Sequence, residues 1–243
     1  MFDIVIPVGP NDINVIADQI EHTKKNVINY RNIYLISCDN NLQVDGCITI
    51  REDIFPFNRD TIIKHHGINN RNNWYLQQLF KFYSGYCIPD IMDIYLVIDS
   101  DTFFLKPTSF IEDNKCLYCY SDEHHIPYFS HMKNLHESLE KMDENKSGIC
   151  HHMIFERKYI DQLFELVEDK HNDFFYNVFL KSVDKDEIIN SGASEYEIYF
   201  NYVLKYHNDK VAVRYLSWKN HIDIENENVL NELNYVSIHW YQR

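Results

Sequence analysis

Two aspartates separated by one residue, Asp99 and Asp101, directly follow the strongest apolar stretch of the chain, Ile94–Ile98. In an open α/β sheet, ligands bind beyond the carboxyl ends of the strands, which is where this pair stands. Residues two apart in an extended chain project to the same side, so both carboxylates can face one hard cation or its waters. Left alone, two like charges in a partly buried turn repel, and a divalent metal removes that cost. A pair of solvated turn aspartates is the simpler alternative, and the apolar strand leading into the pair argues against it. Cys116 and Cys119 have the spacing of half a zinc knuckle, but no second CxxC or HxxxH completes four ligands. His239, between Ile238 and Trp240, stands in a predicted short apolar strand, Val236–Trp240, where an unpartnered imidazole is costly and a metal would supply a partner.

The elements that must carry these groups begin with Asp3–Val8, a continuous apolar run that reads as a strand buried on both faces. Asn11 or Asp12 offers an N-cap to a helix with Ile13, Ile16, Ala17 and Ile20 on one stripe. Strands follow at Ile33–Ser37 and Cys47–Ile50, a β-α-β opening that favours a parallel sheet with right-handed crossovers. The polar stretch Arg51–Asn73 holds a short helical piece near Asp60–His66. Trp74–Gly85 reads as a helix with Leu76, Leu79, Phe80 and Tyr83 on one face and Gly85 as its stop. After Ile94–Ile98 come a short strand at Thr102–Leu105, a strand at Leu117–Tyr120 and an exposed helix at Lys133–Met142. A strand at His152–Phe155, helices at Lys158–Lys170, Phe174–Ser182 and Glu195–Tyr206, and a strand at Val211–Tyr215 complete the pattern. No repeat or composition break forces a second domain.

The balance of 23 basic against 37 acidic residues, net −14, argues against a chain built to neutralise nucleic-acid phosphates, while a small anionic ligand beside a cation is still allowed. No apolar run approaches a membrane span, and Met1–Val8 lacks the pattern of a signal peptide. Six cysteines are too sparse for a disulfide framework and read as free thiols of a cytoplasmic, reducing compartment. Abundant Asn and Ile with little Ala suggest AT-rich coding DNA.

Ile4–Val8, the helix Trp74-Tyr-Leu-Gln-Gln-Leu-Phe-Lys81 and the segment Tyr95-Leu-Val-Ile-Asp-Ser-Asp-Thr-Phe-Phe-Leu-Lys-Pro107 together resemble nucleotide-sugar-dependent glycosyltransferases of the GT-A fold. More narrowly, the chain is similar to a bacterial and viral group with a WYLQQ-type helix, an HHM segment, here His151-His152-Met153, and an SEYE segment, here Ser194-Glu195-Tyr196-Glu197. The resemblance implies an α/β, Rossmann-like single domain with a mixed, mainly parallel sheet flanked by helices. Residues 1–105 would form its nucleotide-binding half and residues 106–243 its acceptor-binding half.

It further implies that Asp99 and Asp101 hold Mn²⁺ or Mg²⁺ against the diphosphate of a UDP-sugar, with His239 as third ligand and His221 as the alternative. Pro7, Val8 and Gly9 of the first βα turn would line the base and ribose. Asp39 would bond the base, and Arg71, Lys81 and Ser100 would contact the donor, with Gln77 or Gln78 turned toward it. Glu195 would hold the acceptor, a glycan, protein or small molecule, or take its proton as general base. Of the two aspartates, Asp101 would coordinate the cation directly and so take part in the catalysis. Ser194 would cap the helix with Glu197 at N3, and His151 and His152 would bind acceptor hydroxyls. Two other classes stay open: a catalytically silent nucleotide- or sugar-binding module on the same scaffold, and a haloacid-dehalogenase-like phosphatase. The phosphatase motif wants Thr or Val two residues after its second aspartate, where this chain has Phe103.

Overall fold

The computed structural model describes residues 1–220 and 231–243. Strand β1 (Phe2–Pro7) is buried at every position, as its unbroken apolar run requires of a strand covered on both faces. Helix α1 (Ile16–Asn26) returns the chain to β2 (Tyr30–Ser37), which pairs with β1 in parallel. The stripe on α1 differs from the expected one. Ile16 and Ile20 are buried, but so are Gln19, Thr23 and Asn26, while Ala17 faces out. The reason is hydrogen bonding: Gln19 Nε2 donates to the Thr102 carbonyl at 2.9 Å and Asn26 Nδ2 to the Phe104 carbonyl at 2.6 Å. The buried face of α1 therefore pins the short strand that follows the two aspartates. Neither Asn11 nor Asp12 caps this helix; Val15 holds the N-cap position without a side-chain bond.

Strand β3 (Ile48–Arg51) extends the sheet and is followed by α2 (Arg59–His66), capped by Asn58. Helix α3 (Asn72–Cys87) runs two residues past Gly85, which is not its stop. A Cβ at Gly85 would lie 3.0 Å from the Tyr95 ring, so the glycine serves close helix–sheet approach. Strand β4 (Ile94–Ile98) then pairs with β1 in parallel. Next come β5 (Thr102–Phe104), β6 (Ile111–Glu112) and β7 (Lys115–Tyr120). Helix α4 spans Ile126–Leu135, earlier than the predicted Lys133–Met142. Pro127 in its first turn supplies a preset φ, and His136 ends it in an extended conformation.

Strand β8 (His152–Glu156) runs antiparallel to β4. The chain closes with α5 (Arg157–His171), α6 (Phe175–Lys181), α7 (Glu195–His207), β9 (Ala212–Tyr215), β10 (Trp218–Asn220) and β11 (Tyr235–Ser237). The last strand stops before His239, which opens a short 3-10 turn at Trp240–Gln242, so the predicted Val236–Trp240 strand is displaced toward the N-terminus.

The central sheet has the order β3-β2-β1-β4-β8, mainly parallel with β8 as its antiparallel edge, and helices flank it. Two three-stranded sheets, β10-β11-β5 and β6-β7-β9, adjoin it. One main hydrophobic core runs from Phe2 to Tyr235 and draws on both halves of the chain, giving a single mixed α/β domain. Among the described residues, no helix is long and apolar enough to cross a membrane.

Candidate functional site

From β1 the chain winds one way to β2 and β3, and the later β4 lies on the other side of β1. Their carboxyl ends therefore flank a topological switch point, the place where open α/β sheets form a ligand crevice. Val8 and Gly9 leave β1 there, and Asp99, Ser100 and Asp101 leave β4. A cleft of about 140 Å³ opens beside the first turn, lined by Pro7, Val8 and Gly9 together with Arg59, Gln77 and Phe80 among others. Gly9 gives this turn its clearance, since a Cβ would stand 3.2 Å from Gln77 Nε2.

Asp99 and Asp101 are not displayed on one side of an extended segment. Asp99–Thr102 is a turn, closed by the Thr102 N–H donating to the Asp99 carbonyl at 3.0 Å, and the two carboxylates take different partners. Asp99 Oδ1 accepts from Lys81 Nζ at 2.6 Å and from the Tyr196 hydroxyl at 2.8 Å, and Oδ2 lies 3.3 Å from His151 Nδ1. Lys81 also donates to Glu195 Oε1 at 2.5 Å and sits over the Tyr196 ring, 4.2 Å from its centroid.

The cluster is buried, and its charges are set by one another. Burial works against the Lys81 ammonium, but Asp99 and Glu195 outweigh it and hold its pKa above the ordinary lysine value. Burial also opposes the charge on Asp99, yet Lys81 and then His151 keep this carboxyl well below the usual range. Glu195 goes the other way: burial pushes it up, Lys81 opposes this and Asp99 adds to it, with a net rise. The Glu195 backbone is fixed by its N–H donating to Gln78 Oε1 at 3.0 Å. Ser194 caps α7 as expected, accepting from the Glu197 N–H at 3.2 Å. The Glu197 carboxylate does not reach back; it accepts from Ser147 Oγ and the Gly148 N–H, both at 2.7 Å, and so ties the loop before β8 to α7.

Asp101 faces the C-terminal segment. Its Oδ2 lies 2.8 Å from His239 Nδ1, and its Oδ1 is buried with no partner among the described residues. The hydrogen bond to Asp101 raises the His239 pKa above the ordinary histidine value against the effect of burial. Tyr241 stacks on the His239 ring with centroids 5.3 Å apart, while Trp240 is largely exposed. Ser100 Oγ donates to Asp12 Oδ2 at 2.6 Å, and Arg243 pairs with the other oxygen of Asp12, drawing the end of the chain over the turn. Asp12 and Tyr196 are thus site residues that sequence reasoning did not select, although both stand within segments it had marked.

Several predicted residues lie elsewhere. His152, the first residue of β8, is fully buried with its ring among Phe104, Phe110 and Tyr235 and does not face the site. His151 does face it, held at φ 59° with its ring against Trp218 and His239 and its Nε2 unpartnered among the described residues. Lys81 is committed to its two carboxylates, and Gln77 rather than Gln78 lines the cleft. Arg71 is exposed, its Nε 3.5 Å from the Ile189 carbonyl, whereas Arg59 of α2 lines the cleft. Asp39 caps its own turn by accepting from the Asn41 N–H at 2.8 Å. His221 lies outside the described residues. Among the described residues, no three His, Cys, Asp or Glu side chains converge tightly enough to form a ready metal site. The orphaned Asp101 Oδ1, with the His239 imidazole beside Oδ2, is nonetheless a donor set that a hard or borderline divalent cation fits.

The chain belongs to the Family of unknown function (DUF6492), whose model matches residues 14–236. No curated protein matches the sequence. Among solved structures it is similar to the apo form of mouse xyloside xylosyltransferase 1, with a TM-score of 0.49 and 8% identity over 100% of this chain and 99% of that chain.

Proposed function

We propose that the protein is a glycosyltransferase that moves a sugar from a nucleotide-diphospho-sugar, most favourably a UDP-sugar, to an acceptor hydroxyl. The observation that carries this reading is the switch point itself: a cleft lined by the first βα turn opens at the end of β1, and Asp99 and Asp101 leave the neighbouring strand β4, with Glu195 joined to Asp99 through Lys81. The sequence resemblance of the same segments to GT-A enzymes supports it independently.

Asp101 and His239, with Asp99 behind them, would hold a divalent cation. That ion supplies charge neutralisation for the donor diphosphate and the departing nucleotide. Pro7, Val8 and Gly9 form a wall for the nucleoside, and Arg59 offers the cleft a cation. Glu195 is the general base: as the acceptor oxygen bonds to the anomeric carbon, its proton passes to the Glu195 carboxylate. The bond from the anomeric carbon to the phosphate oxygen breaks with its electron pair on the nucleotide. Burial suits Glu195 to this, because a raised pKa makes a stronger base. Lys81 positions Glu195 and keeps Asp99 ionised, so two carboxylates can share a buried site without mutual protonation.

Calorimetric titration with UDP, GDP and ADP in Mn²⁺ tests the donor assignment. UDP should bind most tightly. Tighter binding of GDP would move the donor to GDP-sugars, and no nucleotide binding would contradict the reading.

A further inference from the structure

A second hollow, of about 320 Å³, opens at the start of α4 and is lined by Glu123, His124, His125, Tyr128, Ile149, Asn190 and Ser191. It is anchored to the aspartate site through neighbouring contacts. Asn220 of β10 donates to Glu123 Oε1 at 3.2 Å, and two residues earlier Trp218 packs its ring 5.0 Å from that of His151, the Asp99 partner.

Trp74 opens the WYLQQ helix, yet nothing in the donor site uses it. It is partly exposed, and its ring runs nearly parallel to that of Tyr128, with an interplanar angle of 20° and centroids 6.5 Å apart. We infer that this hollow is the acceptor subsite and that it takes the ring of a neutral glycoside, with Tyr128, against which Trp74 packs, as its aromatic wall and Glu123 and His125 as its hydroxyl-binding edge. The name acceptor subsite rests on the glycosyl-transfer reading; the sugar binding itself does not.

The lining chemistry selects this ligand class. A sugar ring offers a face of C–H groups, which the negative face of an aromatic ring attracts, and a rim of hydroxyl donors. His125 Nε2 donates to the Asn190 carbonyl at 3.0 Å, so in the neutral imidazole Nδ1 is left as an acceptor. The Glu123 carboxylate accepts as well. The lining holds that carboxylate and no Lys or Arg; of the nearby cations, Lys141 bonds to His124 Nδ1 at 2.9 Å and Arg71 to the Ile189 carbonyl at 3.5 Å. Phosphorylated or uronic acceptors would meet repulsion from Glu123 in a protein of net charge −14.

Saturation-transfer NMR with methyl glycosides of neutral hexoses and pentoses, against a methyl glucuronide and a sugar phosphate, tests the inference on the intact protein. Neutral glycosides should bind. Glu123→Gln and Tyr128→Ala should each weaken them about fivefold, Glu123→Gln serving as the variant least disturbing to the fold. Tighter binding of the anionic sugars, neutral binding that neither variant weakens, or no glycoside binding would each overturn it. A parallel UDP titration in Mn²⁺ separates the two claims. Nucleotide binding without glycoside binding defeats only this subsite, whereas variant-sensitive glycoside binding without nucleotide binding upholds the sugar site and defeats only the transferase reading.

Discussion

Lys81 Nζ lies 2.5 Å from Glu195 Oε1, joining the middle of α3 to the first residue of α7 through one buried ion pair. The same ammonium reaches Asp99 at 2.6 Å, so it is the shared counter-charge of two carboxylates that come from different parts of the chain. Lys81→Met removes that charge and leaves Asp99 and Glu195 facing each other in a buried site. Breaking a buried pair in this way costs about 3–5 kcal/mol. Urea unfolding should show a loss of that order, and the double variant Lys81→Met/Glu195→Gln should recover part of it. A change in Lys81→Met below about 1 kcal/mol would mean that the pair is solvated and unimportant.

Gly148 carries a second prediction. A Cβ there would lie 2.5 Å from the Tyr196 carbonyl and 2.6 Å from Phe200 Cβ, on the turn of α7 that presents Glu195. Gly148→Ala must displace that turn or the loop tied to it by Glu197. We expect a stability loss of about 2–3 kcal/mol and, among molecules that remain folded, reduced turnover. Thermal unfolding together with specific activity checks both.

Acid stability follows from two buried imidazoles. His131 Nε2 donates to the Phe179 carbonyl at 2.8 Å while burial pushes its pKa down to about 4, and burial pushes His152 down to about 3. In the unfolded chain both titrate near about 6.5. Between that value and the folded pKa the unfolded state binds more protons, so stability is full above about pH 6.5 and declines as pH falls toward about 4. For His131 the loss is on the order of 3 kcal/mol. Urea midpoints measured from about pH 7 to about pH 4 should fall, and His131→Gln should flatten that slope; equal slopes for the variant and parent would contradict it.

The C-terminal segment offers a further test. His239→Ala removes the Asp101 partner but leaves the main core untouched, since His239 lies outside the strands. Mn²⁺-dependent UDP affinity should drop about tenfold or more with little change in Tm. Unchanged affinity would leave the cation to the carboxylates, the diphosphate and water alone.

Much of the frame was legible because it rests on local patterns. The unbroken apolar runs marked β1 and β4, and β4 has the bounds its sequence suggested. The polar face of α1 was not legible, because Gln19 and Asn26 are buried only by virtue of carbonyls 83 and 78 residues away. Gly85 looked like a helix stop for the same reason: its neighbour Tyr95 is distant in sequence. In the site, residue types pointed to Asp99, Asp101, Glu195 and His239, which the fold gathers. The left-handed backbone of His151 just before β8, not residue type, lets His151 face the site while His152, the first residue of the strand, enters the core. Lys81 read as a donor contact because its chemistry suits phosphate, and only the packing of α3 against α7 showed that carboxylates had already claimed it.

The central claim is metal-dependent transfer through Asp101. The most direct measurement is release of UDP from UDP-sugars in Mn²⁺, compared between the parent and Asp101→Asn, with circular dichroism to establish that the variant is folded. The account predicts Mn²⁺-dependent release by the parent and a loss of at least about a hundredfold in the variant. Full Mn²⁺-dependent release by folded Asp101→Asn would contradict it.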